Sequence, residues 1–392
     1  MTRPRLATTR RILRAIRDGW LLLGLCLAPI LALELGLRGA FALKDRLAAP
    51  PAVDPRVVEA AGGTWPIDHD RELKALVDRW EPFAYFRPEP FRGSTITIDA
   101  DGRRAVWKPP TGEGRRTIRL AVLGGSSLWG YGGRDDETIP SHLARILHGR
   151  GVDAEVRNLS QIGYVSTQEV VALVRELQSG YRPDVVLFYD GVNDASSALL
   201  EGRAGLTMNE RNRAREFNLL QSPARAAAAA LGKLVADSAL RRAAESIARR
   251  FRGGAGSTPA TPAVALEDLA KGVLDVYETN VMVVEALADR YGFRPVFAWQ
   301  PSLFDKAPQT PLERDEAAKY AWLAPAFAAT GAELDRRDGL KARADFLDLR
   351  GLFRDAPETV FTDHCHTTER ANAIVADRLA GPVLEAADGA DR

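Results

Sequence analysis

The chain has 392 residues, 46% of them hydrophobic and 27% charged, with a net charge of +1 at neutral pH. This is an ordinary globular balance, with length enough for one large domain or two small ones. Near-neutrality excludes an overall field that would steer the protein to nucleic acid, and two cysteines, Cys26 and Cys365, are too few for a disulfide framework.

At the N-terminus, Arg3, Arg5, Arg10, Arg11, Arg14 and Arg17 precede an uncharged stretch over 19–33. Glu34 and Arg38 follow, four apart and able to pair across one helical turn, and apolar character then continues to Leu43. As a helix, 20–43 would span roughly 36 Å, enough to cross a hydrocarbon core. The expectation is a basic cytoplasmic tail (1–18), a single transmembrane anchor (19–43) and an extracytoplasmic remainder, periplasmic or extracellular. The alternative is a signal peptide cleaved after Ala40-Phe41-Ala42, although Glu34 and Arg38 separate that match from the uncharged stretch.

Residues 44–116 read as a linker followed by a small prefix. A short helix is expected over 72–80, a strand over the alternating Thr95-Ile96-Thr97-Ile98, and a hairpin turn at Asp101-Gly102. Phe83, Tyr85, Phe86 and Phe91 are expected to pack the prefix on the main domain, with a substrate entrance as the alternative role.

Residues 117–385 change character. Short apolar runs at 118–123, 154–156, 185–189, 295–299 and 346–349 read as buried strands, and amphipathic runs at 139–147, 167–177, 266–291 and 312–329 as helices. This alternation predicts an α/β protein: a parallel sheet of about five strands with helices on both faces and ligands beyond the strands' carboxyl ends. An insert over 195–263 breaks the rhythm. Between Arg203 and Arg252 it holds ten Arg and one Lys against four acids, a net +7, and it ends in the flexible connector Gly253-Gly254-Ala255-Gly256-Ser257-Thr258-Pro259. It could lie on anionic lipid, but its sparse Leu and Val favour a solvated lid. Residues 386–392 read as a tail.

Four islands carry the chemistry. The first strand ends in Leu123-Gly124-Gly125-Ser126-Ser127-Leu128-Trp129-Gly130. The second island is Asn158-Leu159-Ser160-Gln161-Ile162-Gly163, the third Tyr189-Asp190-Gly191-Val192-Asn193-Asp194, and the fourth Asp363-His364-Cys365-His366 before a helix-like run through Ala380. Each alone is weak, because glycine-serine and Asn-Asp sequences are common turn chemistry. In this order and context they resemble the four blocks of the SGNH (GDSL-like) hydrolases, as a membrane-anchored member.

The resemblance implies a three-layer α/β/α sandwich with a flavodoxin-like sheet and no cofactor. It implies Ser126 as nucleophile, His366 as general base and Asp363 as its acid partner. Ser126 and Gly163 through backbone amides, and Asn193 through its side chain, are the implied oxyanion-hole donors. The residue chemistry agrees with these roles. A serine hydroxyl needs an adjacent base, histidine serves near neutral pH, and a carboxylate orients the imidazole.

The expected activity is that of an esterase, or of an O-acyltransferase if a sugar hydroxyl replaces water. The partners would be an ester-bearing small molecule, lipid or glycan and the membrane, without nucleic acid. Gly125 departs from the Asp usual in the first block, which puts substrate preference in doubt. Ser127 rivals Ser126 and His364 rivals His366. A metal at Asp363-His364-x-His366 would need further ligands, and His69, His142 and His148 lie outside the blocks, so no metal is expected. Trp129 and Tyr131 are expected to pack, with shaping of an acyl pocket as the alternative. The rival from another class is a non-catalytic envelope-assembly or glycan-binding protein that keeps the fold.

Overall fold

The structure is a computed structural model that describes residues 4–47, 53–110, 115–252 and 264–390. Arg3 and the connector from Gly253 to Pro259 lie outside the described residues. The chain divides into two compact units. One holds Met1–Ala52 with Asn212–Thr258, and the other holds Val53–Arg211 with Pro259–Arg392.

In the first unit a helix runs over Pro4–Leu47. Its segment Ile16–Lys44 is long and apolar enough to cross a membrane. Helices Glu210–Leu220, Pro223–Ala236 and Ala239–Arg252 form most of the insert.

The second unit begins with a prefix. A helix at Trp65–Ala75 precedes β1 (Asp78–Glu81), which pairs antiparallel with β2 (Tyr85–Pro88). Trp80 therefore sits in a strand, where the sequence led us to expect the end of a helix. β3 (Phe91–Arg92) pairs with β4 (Thr97–Ile98), and the chain then turns through Gly102, whose φ of 74° is the left-handed conformation such a turn requires. Phe86 packs its ring edge on Tyr164 with centroids 5.3 Å apart, whereas Phe83 stays 78% exposed.

Five parallel strands follow: β5 (Arg116–Gly124), β6 (Val152–Asn158), β7 (Val185–Asp190), β8 (Arg294–Trp299) and β9 (Phe346–Asp348). Their order is β6-β5-β7-β8-β9, the flavodoxin-like 2-1-3-4-5 arrangement. Strand alternation sorts the side chains between two cores. Ile118, Leu120, Val122, Leu187 and Tyr189 face Leu143, Leu147, Val375, Leu379 and Val383, which lie on helices Ile139–Gly149 and Glu369–Ala390. Ala121, Leu123, Val186, Phe188 and Phe297 face Leu173, Leu177, Tyr277 and Val281, on helices Ser166–Gln178 and Leu266–Tyr291. The product is an α/β/α sandwich. The expected helix over 312–329 is two, Pro311–Lys319 and Ala324–Asp335, with the second carrying Pro near its start. Helix Glu369–Ala390 continues through most of the expected tail.

The order reverses at β5, which has β6 on one side and β7 on the other. Ser126 follows β5 and Asn193 follows β7, so both leave the sheet at the switch point, where crevices open beyond the carboxyl ends.

Candidate active site

β5 ends at Gly124, and Gly125 leads into the short helix Ser126–Trp129, which Gly130 closes at φ 103°. Ser126 Oγ lies 2.7 Å from His366 Nε2, and His366 Nδ1 lies 2.5 Å from Asp363 Oδ2. With a neutral imidazole, Nδ1–H donates to the carboxylate and Nε2 accepts the serine proton. Ser126, Asp363 and His366 are thus brought into one chain of hydrogen bonds. Ser127 points elsewhere, its hydroxyl 3.4 Å from the Cys365 carbonyl. His364 also faces away, with Nε2 3.5 Å from Cys365 Sγ and its ring against Tyr320 at 4.5 Å.

The loop carrying the histidine is held from several sides. Asp363 Oδ1 accepts from the Cys365 and His366 amides at 2.9 and 2.8 Å. Thr362 N donates to His366 O, and Leu303 N donates to His364 O. Glu313 Oε1 accepts from Val360 N at 2.9 Å and Phe361 N at 3.1 Å, while Glu313 Oε2 meets Lys306 Nζ at 2.5 Å. The Lys306–Glu313 pair is essentially solvent-free, at 1% and 0% exposure.

The electrostatics favour an ion pair between Asp363 and His366. Burial opposes a charged imidazole, but the Asp363 carboxylate overrides it and holds His366 well above its ordinary range. Burial likewise opposes ionisation of Asp363, and His366 overrides it by charge and hydrogen bond, leaving the acid well below the carboxylate range. A proton on His366 is therefore stabilised by the adjacent Asp363 carboxylate.

Asn193 and the Tyr164 carbonyl, the latter in the residue after Gly163, lie against Gly125, which precedes Ser126. Gly163 has φ 81°, and Asn193 sits in the first turn of helix Val192–Glu201. Asn193 Nδ2 donates to Tyr164 O at 2.8 Å. The same nitrogen presses on Gly125: a Cβ there would lie 2.1 Å from it. The amide of Asn193, the Gly163-Tyr164 backbone and Ser126 are therefore neighbours around Gly125. This gives the Gly125 departure a physical reason, because the Asn193 amide fills the space of its missing side chain.

Trp129 and Tyr131 were expected to pack, with an acyl pocket as the alternative, whereas a cluster of buried carboxyls was not legible in the sequence. Tyr131 stacks on His366, with centroids 4.2 Å apart and planes at 25°. Trp129 beside it is fully buried under the Arg104 guanidinium, 4.5 Å above its ring, and serves packing. Behind Asn193, burial raises the carboxyls of Glu169, Asp190 and Asp194, and their mutual repulsion adds to it. Asp194, pushed to about 6, accepts from Ser166 Oγ at 2.7 Å, and Asn280 Nδ2 donates to the same hydroxyl. The Glu169 and Asp190 signal was hidden because the sequence places them 21 positions apart on a helix and a strand.

Among the described residues, Asp363, His364 and Cys365 bring possible metal-ligand atoms within 4.8 Å of one another. Both Asp363 oxygens are already engaged by the loop amides and His366. His69 is committed between Thr95 and the Tyr131 carbonyl, His142 faces Glu137, and His148 binds Asp153.

No family model matches the sequence, and no curated protein matches it. Among solved structures, the chain is similar to a carbohydrate acetylesterase family member from Sinorhizobium meliloti, at 14% identity and a TM-score of 0.36 over 69% of this chain and 99% of that one. It is similar to the acetyl xylan esterase AlAXEase at 13% identity and a TM-score of 0.35, over 68% and 100%. A member of the lipolytic protein G-D-S-L family from Veillonella parvula DSM 2008 matches at 10% identity and a TM-score of 0.36, over 68% and 96%. At such identities and scores, function has to be read from the site itself.

Proposed function

We propose that the protein is a serine-dependent carboxylic ester hydrolase or O-acyltransferase of the SGNH type, acting outside the cytoplasmic membrane through an acyl-Ser126 intermediate. The observation that carries this reading is the continuous chain Ser126 Oγ–His366 Nε2, 2.7 Å, and His366 Nδ1–Asp363 Oδ2, 2.5 Å.

His366 takes the Ser126 proton as Oγ attacks the acyl carbon, and the resulting imidazolium is stabilised by Asp363. The tetrahedral oxyanion is met by the Ser126 and Gly163 amides and by Asn193 Nδ2, which turns from the Tyr164 carbonyl toward it. His366 returns its proton to the leaving alcohol, and an acceptor hydroxyl, activated by the same base, then releases the acyl group. Water as acceptor gives ester hydrolysis; a sugar hydroxyl gives transfer. The buried side of the reading is envelope chemistry: the basic flank of the N-terminal helix stays inside, and esters of glycans or lipids are met on the far side.

The test is turnover of p-nitrophenyl acetate and of O-acetylated oligosaccharide by the full chain in detergent or nanodiscs, with product partitioning against added sugar. Ser126→Ala should lower kcat by at least about a thousandfold. Equal rates for the wild type and Ser126→Ala would remove the enzymatic reading.

A further inference from the structure

Only Glu34 and Arg38 carry charge between positions 19 and 43, and in the first unit both are engaged. Glu34 Oε1 accepts from Ala239 N at 2.8 Å and Oε2 from Leu240 N at 3.0 Å, while Arg38 Nε donates to Oε1 at 2.7 Å. The carboxylate thus caps helix Ala239–Arg252, satisfying two of its orphan amides and meeting the positive end of its dipole. One turn on, the Arg242 guanidinium sits 4.3 Å over the Phe41 ring. The second helix is fastened to the long one where the uncharged stretch stops.

That position is informative. The uncharged residues 19–33 would span about 22 Å as a helix, the greater part of a hydrocarbon core, so Glu34 and Arg38 fall toward its outer edge. Helix Ala239–Arg252 starts from that edge and is strongly two-faced. Leu240, Ala244 and Ile247 recur at spacings of four and three, and Phe251 continues the register in the sequence. The other positions of the sequence hold five Arg and one Glu among Ala and Ser, with Arg241 about a quarter turn and Glu245 about a third of a turn from the apolar stripe. Ile247 is 57% exposed and Ala244 is exposed as well, while Leu240 is half-buried, so among the described residues the stripe is only partly covered. An apolar stripe exposed at Ile247, on a helix whose sequence carries five arginines and which is held at the end of an apolar span, matches a surface that is apolar below and anionic above.

We propose that helix Ala239–Arg252 lies in the membrane–water interface, with its Leu240–Ala244–Ile247 stripe on the acyl boundary and its arginines on the phosphates of anionic phospholipid. The inference rests on reading the long N-terminal helix as a membrane anchor. It makes the basic helix a second, charge-selective membrane contact, and Glu34 the joint between the two.

The test uses the full chain in nanodiscs of phosphatidylcholine alone and of an equal mixture with phosphatidylglycerol, reading hydrogen exchange of 239–252. Exchange should slow by about tenfold on the anionic discs, and the paired variant Arg241→Glu/Arg249→Glu should abolish the difference. Equal exchange on both lipids, from a chain that remains in the carbonate-resistant membrane fraction, overturns this inference alone. Protection that survives the charge reversal overturns it in favour of a protein partner, such as a second copy. A mature chain whose mass lacks the first forty-odd residues overturns the anchor reading and the joint with it.

Discussion

Gly125→Ala isolates the contact that distinguishes this site. Gly125 has an ordinary φ of −79°, so alanine brings no backbone strain, and the effect of the new methyl is steric. The methyl would lie 2.1 Å from Asn193 Nδ2, against an ordinary contact of at least 3.4 Å, so the amide must retreat by about 1.3 Å. A retreat of that size takes the donor out of hydrogen-bond range of the oxyanion. Losing one such donor costs about a hundred- to a thousandfold in kcat, or roughly 2.7–4 kcal/mol of transition-state stabilisation.

The assay is a double-mutant cycle with Asn193→Ala, following hydrolysis of p-nitrophenyl acetate. Gly125→Ala should cost about as much as Asn193→Ala, and almost nothing further once Asn193 is gone. Gly125→Asp, which restores the residue type usual in the resembled family, meets the same collision in this chain. Undiminished kcat in Gly125→Ala, or additive losses in the cycle, would refute the assignment of Asn193 as an oxyanion donor held by Gly125.

Other expectations follow from the same contacts. Asp363 keeps His366 protonated to unusually high pH, and the base works only when neutral, so kcat/KM should rise with pH along a limb well above 6.5. Asp363→Asn should move that limb downward while lowering kcat by about three to four orders of magnitude. The sign for stability is opposite: the pair stabilises the fold fully between the ordinary Asp and His ranges, and this contribution declines from about 6.5 upward and is lost as pH passes the raised His366 value. Tyr131→Ala removes the ring stacked on His366 and should lower kcat by about fivefold, from roughly 1 kcal/mol of lost cation–π stabilisation, while Tyr131→Phe retains it. Lys306→Met leaves Glu313 charged and buried and should destabilise the protein by about 3–5 kcal/mol in denaturant unfolding. Glu169 has a raised pKa, so the native state resists its ionisation; Glu169→Gln should raise Tm at pH 8 more than at pH 5.

Much of the fold was legible because its signals are local. All five core strands fall within two residues of the apolar runs that mark them, since a strand buried on both faces reads as a continuous hydrophobic stretch. The prefix was less legible: Trp80 belongs to β1 through pairing with Phe86, a partner that helical periodicity cannot see. Ser126, Asp363 and His366 could be named because each sits in a short block at a strand end or before a helix. Their mutual distances could not, since Ser126 and His366 are 240 positions apart and meet only through the sheet order. Tyr131 was expected only to pack or to shape an acyl pocket, and its stacking on His366, like the bonds of Glu313 to Val360 and Phe361, joins residues remote in sequence. Glu34 read as an interruption of an apolar span, and only its bonds to Ala239 and Leu240 make it a cap.

The most direct test of the central claim is fluorophosphonate labelling of the full chain, with the modified residue mapped by mass spectrometry. An adduct on Ser126 that disappears in His366→Ala is the predicted result. An adduct on Ser127, or none on well-folded protein, would contradict the account.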